Sequence, residues 1–139
     1  MKFAFLCVAI LMWSGFQQEP QKVADEKPVT AEAKPAADAV KLVNPTKPTP
    51  ASLAAGKKAY SLDCAMCHGK TGAGDGDLAA DMKLALKDYR NPEALKAMTD
   101  GEIYTIIDKG KGQMSGEEDR MKPAQIWDVV NYVRALSKK

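Results

Sequence analysis

Cys64-Ala65-Met66-Cys67-His68 is the stretch on which the reading of this chain turns. Two thiols three residues apart, with an imidazole beside the second, lie on about one turn of backbone. A structural zinc site takes four Cys or His ligands. The chain has one other cysteine, Cys7, inside an N-terminal apolar run, and no second histidine. Zinc is therefore short by one ligand. A thioredoxin-like redox pair needs a strand and helix around it, and no such context surrounds these residues. A structural disulfide accounts for neither His68 nor the glycines that follow it. What remains is covalent attachment of one c-type haem, with Cys64 and Cys67 each reaching a vinyl group and His68 falling on the iron.

Because His68 is the only histidine, a second imidazole within the chain cannot complete the iron. The sixth position is left to Met, Lys, water or nothing. Met66 lies inside the attachment turn and does not reach the far face. Met82, near Leu84 and Leu86, and Met98, before a helix cap, read as core filler. Met121 directly precedes the last helix and reads as a hydrophobic staple. Met114 lies in Gly110-Lys111-Gly112-Gln113-Met114-Ser115-Gly116, a glycine-flanked loop suited to presenting sulfur to a metal. His68 and Met114 are the expected axial ligands.

Outward from this motif the periodicity is helical. Pro123 suits a first helical position, and Ile126, Val129, Val130, Val133 and Leu136 recur at helical spacing. Thr99 to Glu102 has the form of a capping box, followed by Ile103, Ile106 and Ile107 and stopped by Gly110. Asn91 with Pro92 opens a further turn, and Ser52 to Cys64 is a fourth helical candidate. No strand alternation, hairpin signal or internal repeat is evident. An all-α fold of about four to five helices around the haem is expected. Glycine-rich connections at 69–76 and 110–116 let backbone pass close to a bulky flat group.

Before this domain, expected at 52–139, come two segments of different composition. Met1 and Lys2 precede eleven apolar residues, Phe3 to Trp13, which reads as an export signal over 1–16. The run falls short of the roughly 20 residues that span a hydrocarbon core, so a retained anchor is the alternative rather than the first reading. Residues 17–51 hold six of the eight prolines and no aromatic residue. Such a stretch buries too little apolar area to offset its ordering entropy, and a disordered linker is expected. The formal net charge of +2, with signs interspersed, gives no reason to propose nucleic acid as a partner. Membrane contact is expected only if the N-terminal segment is retained.

These residues resemble the class I c-type cytochromes of the small monohaem type, free in the periplasm or serving as haem subunits of respiratory complexes. The resemblance is carried by Cys64-Ala65-Met66-Cys67-His68-Gly69, Gly72 to Gly76, Thr99 to Tyr104, Lys109 to Met114 and Trp127 to Arg134, in that order. It implies a small helical fold wrapped on the haem, with Gly56 on the first helix packed against Tyr132 on the last. Two departures stand out. Asp77 replaces a proline whose carbonyl accepts the haem histidine's hydrogen bond, and Ser115 replaces a proline after the methionine ligand. Imidazole and thioether on one iron leave no vacant position for substrate, so a single-electron carrier rather than an enzyme is implied. Its expected partners are redox proteins such as a quinol-oxidising complex and a terminal oxidase or dehydrogenase. A haem sensor or a peroxidase-like enzyme with a displaceable sixth ligand is the alternative. The charges Lys109, Lys111, Glu117, Glu118 and Asp119 read as solvated surface.

Overall fold

Thr49 starts the first long helix by accepting a hydrogen bond on its hydroxyl from the Ser52 N–H at 3.2 Å, with Pro50 in the first helical position. The computed structural model that shows this describes residues 37–138, so the expected signal and the linker up to residue 36 lie outside the described residues. Helix α1 (Pro50–Ala59) passes into a π-helical segment (Tyr60–Cys64) and then α2 (Ala65–His68). The two cysteines thus end one continuous helical run. π segments inside helices are uncommon and concentrate at functional sites.

Helix α3 (Asp77–Asp81) and a 3-10 turn (Pro92–Leu95) precede α4 (Asp100–Lys109). The expected capping box is formed at α4: the Glu102 N–H donates to Thr99 Oγ1 at 3.2 Å and the Thr99 N–H to Glu102 Oε2 at 2.6 Å. Gly110 closes that helix with φ +82°. Two short strands, β1 (Gly110–Lys111) and β2 (Met114–Ser115), pair antiparallel with Lys111 opposite Met114. The expected flexible loop is therefore a tight hairpin. Two-residue strands are too short to leave an alternation in the sequence.

Helix α5 (Pro123–Leu136) buries Ile126, Trp127, Val129, Val130, Val133 and Leu136. Met121 before it is buried in the same core as Ile126, as a staple requires. The core closes where α1 crosses α5. A Cβ at Gly56 would lie 2.0 Å from the Asp128 carbonyl oxygen and 2.9 Å from Tyr132 Cβ, so only glycine permits this approach. Tyr60 meets Tyr132 edge to face at 5.3 Å, and Tyr104 stacks on Trp127 at 4.3 Å. Arg134 on α5 donates to Asp100 Oδ1 and the Leu95 carbonyl, each at 2.8 Å, and also to the Met98 carbonyl. It ties the last helix to the 3-10 turn and to the start of α4.

The expectation of a disordered linker up to residue 51 is corrected over its last part. A 3-10 turn (Ala39–Lys41) packs on α4, with Ala39 buried. Asn131, buried on α5, accepts from Asn44 Nδ2 at 2.9 Å and donates to the Thr46 carbonyl at 2.9 Å and Ser52 Oγ at 3.0 Å. Ser52 Oγ in turn donates to Asp128 Oδ1 at 2.6 Å. One polar side chain with several partners thus straps residues 44–49 over the α1/α5 crossing. The cause is hydrogen bonding, which composition does not report.

Candidate haem site

The attachment turn is held from both ends. Tyr60, buried on the π segment, donates from its hydroxyl to the Gly69 carbonyl at 2.9 Å. The glycine-rich loop folds back on the same turn: the Gly74 N–H donates to the His68 carbonyl at 2.9 Å and the Gly76 N–H to the Cys67 carbonyl at 3.1 Å. At Gly76 a Cβ would lie 2.2 Å from the Met66 carbonyl oxygen. The glycine is needed there because backbone lies on backbone. From this loop the Gly72 carbonyl accepts from the Tyr89 N–H at 2.7 Å, and the Tyr89 ring stacks on the His68 imidazole at 5.1 Å.

Cys64 and Cys67 are half-buried free thiols on this turn. Burial, followed by the Glu117 and Asp63 carboxylates, pushes the Cys64 thiol up to about 12. Burial also lowers the His68 imidazole below its ordinary value, which favours the neutral form that can ligate a metal. His68 Nδ1 is buried and has no hydrogen-bond partner among the described residues. The carbonyl of Asp77, which stands in place of the family's proline, does not take a bond from it, and Asp77 opens α3. Two unbridged thiols at attachment spacing beside an imidazole that burial holds neutral form a donor set that fits haem c. Among the described residues no cluster of three or more His, Cys, Asp or Glu side chains could hold a metal ion on its own.

The methionines fall into three groups: exposed, half-buried and buried. Met66 is 59% exposed on the attachment turn. Met82, expected in the core, is 43% exposed, because α3 ends one residue earlier and turns it outward. Met98 packs on the core and Met121 is buried within it. Met114 is half-buried on β2 and packs against the core from the hairpin. The hairpin's base carries an ion cluster in which Lys109 pairs with Asp108 at 3.3 Å and with Glu118.

One residue departs from its expected surface role. Glu117 is only 5% exposed, and its N–H donates to the Ile107 carbonyl at 2.9 Å. An acidic run reads as solvated surface, but Arg120 three residues on, able to pair with it, is the signal that one member turns inward.

A helical frame closed by its first and last helices, carrying a C-x-x-C-H turn under a glycine loop, defines the class I c-type cytochromes. The chain belongs to the cytochrome c family, whose match covers residues 53–137. Members of that family carry covalent haem c, and Cys64 and Cys67 fit its attachment motif. Among solved structures, the chain is similar to the Kuenenia stuttgartiensis reducing HAO-like protein complex Kustc0457/Kustc0458, with 26% identity and a TM-score of 0.57. That match covers 66% of this chain and 46% of the other, so this chain spans about half the length of that relative. It is similar in fold to the KustC0563 c-type cytochrome, with 24% identity, a TM-score of 0.52 and coverage of 58% and 95%. Cytochrome CL from Methylophaga aminisulfidivorans matches at 18% identity and a TM-score of 0.48, covering 63% of this chain and 57% of that one. No curated protein matches the chain.

Proposed function

We propose that the chain is an exported monohaem cytochrome that passes single electrons between respiratory-chain partners, with its iron held by His68 and Met114. Haem c, when bound, supplies an iron that cycles between two oxidation states and so exchanges one electron at a time. The chain's own residues do the rest. Cys64 and Cys67 hold the group to the helical run, Tyr60 and the Gly74 and Gly76 N–H groups fix that turn, and Tyr89 braces the His68 ring.

The observation that carries the ligand reading is the contrast among methionines. Met114 combines partial burial with a place on the β1–β2 hairpin, whereas Met66 and Met82 face solvent, Met121 is consumed by the core, and Met98, half-buried like Met114, directly precedes the α4 cap with its carbonyl taken by Arg134. A thioether there raises the potential and closes the iron to substrate, which suits a carrier or electron-transfer subunit and not an enzyme. A haem-subunit role is in keeping with the similarity to a protein described as part of a reducing complex. Partners of the kind expected are a quinol-oxidising complex and a terminal oxidase or dehydrogenase, met in the periplasm. Among the described residues no helix is long and apolar enough to cross a membrane.

The test is an optical redox titration of the holoprotein, repeated under carbon monoxide. A positive potential indifferent to the gas is expected. Met114→Ala should lower the potential and let carbon monoxide shift the ferrous spectrum. A wild-type spectrum already shifted by the gas would move the reading to the sensor or peroxidase-like alternative. An unchanged potential in Met114→Ala would remove Met114 from the iron.

A further inference from the structure

Tyr89 lies in the irregular stretch between α3 and the 3-10 turn at Pro92, where no periodicity assigns it a face. Its place is fixed by the glycine loop. The Tyr89 N–H donates to the Gly72 carbonyl at 2.7 Å. Gly72, at φ +81°, leaves the room in which a Cβ would lie 2.6 Å from Leu136 Cδ1 and 3.4 Å from Tyr89 Cβ. Two residues along the same loop, a Cβ at Gly74 would lie 2.9 Å from the Leu86 carbonyl oxygen and 3.1 Å from that of Lys87. The stretch 86–89 therefore rests directly on the loop that follows the attachment turn, and it brings the half-buried Tyr89 ring to His68. The two rings stack with centroids 5.1 Å apart and planes 24° from parallel.

Metal-bound histidines are ordinarily oriented by a hydrogen bond from their second ring nitrogen. Among the described residues nothing takes such a bond from His68, whose Nδ1 is buried and without a partner. The Gly74 N–H on the His68 carbonyl holds the backbone and leaves the ring free to turn. The contact that sets the plane of the ring is the aromatic one, since ring faces at this separation favour offset stacking. The geometry points to Tyr89 as a positioning residue for electron transfer, holding the plane of the His68 imidazole by its ring face in place of a hydrogen bond. A ligand plane fixed before the electron arrives has little to rearrange when it does, and a preorganised site exchanges charge faster than one that must reorganise. Burial pushes the Tyr89 phenol up to about 12, so the ring meets the imidazole uncharged at neutral pH. Only the ring face is called on; the hydroxyl is not. This inference deepens the electron-carrying reading above and rests on His68 as an iron ligand.

The experiment is proton nuclear magnetic resonance of the full-length holoprotein in both oxidation states. In the reduced protein the Tyr89 and His68 ring protons should show a mutual nuclear Overhauser contact, which needs no variant to be seen. In the oxidised protein the spread of the haem methyl signals reports the direction of the axial ligand planes. Tyr89→Phe keeps the ring face and should keep the wild-type spread. Tyr89→Leu keeps apolar bulk without a ring face and should change the spread, with electron self-exchange slowed by about tenfold, the scale expected when an outer support of a metal ligand is lost. Absence of the contact in the wild type, a wild-type spread or self-exchange rate in Tyr89→Leu, or a loss in Tyr89→Phe equal to that in Tyr89→Leu would overturn the proposal. The His68 ring protons themselves should be strongly displaced by the oxidised iron. If they are not, His68 is not a ligand and the reading beneath fails; displaced protons without the Tyr89 contact would overturn this inference alone.

Discussion

The α1/α5 crossing and the segment from Leu62 to Met82 are built by opposite means. At the crossing, Gly56 brings two backbones together, aromatic rings interlock, and Asn131 bonds three groups, on Asn44, Thr46 and Ser52. Around the attachment turn, Leu62 and Met66 are 71% and 59% exposed, the connections are glycine-rich, and the helices have only four or five residues. One region is closed by its own side chains. The other leaves Leu62 and Met66 exposed, apolar surface that a group the chain itself does not encode would cover.

The largest expected effect tests that dependence directly. In the protein made without attached haem, amide hydrogen exchange should lose protection across 62–89 while α1 and α5 retain most of theirs; uniform loss would mean that the two regions are one cooperative unit. Next comes the crossing itself. Gly56→Ala places a Cβ against the Asp128 carbonyl and should cost about 3 kcal/mol in denaturant unfolding of the holoprotein. A cost below about 1 kcal/mol would show that the helices can slide apart cheaply. Smaller still is Asn131→Leu, which leaves Asn44 and the Thr46 carbonyl without their partner. It should cost about 2 kcal/mol and expose residues 38–49 to limited proteolysis, with the attachment turn unaffected.

The legible parts of the fold were those with local chemistry. The Thr99/Glu102 box, Pro92, Pro123 and the helical spacing of Val129, Val130 and Val133 each act over one or two turns, so their signals lie within a short window. The C-x-x-C-H turn was legible for the same reason. What escaped depends on distance or on very small elements. The strap over 38–49 is held by Asn44 and Asn131, 87 residues apart, and its Pro- and Lys-rich composition points the other way. The 110–115 hairpin has only two residues per strand. Met82 is apolar enough for the core but is exposed just past the end of α3, and Glu117 is buried although the acidic run around it points to surface. In the site, the attachment residues stood out from spacing, whereas the stacking of Tyr89 on His68 did not.

The meeting of α1 with α5 has a consequence for the order of events in folding. Ser52 and Asp128, joined across that contact, are 76 residues apart, so nearly the whole domain is one loop that the contact must close. Loop closure on that scale is entropically unfavourable and slow relative to forming the helices within it. The contact that shuts the domain is thus also the one whose formation limits how quickly it folds.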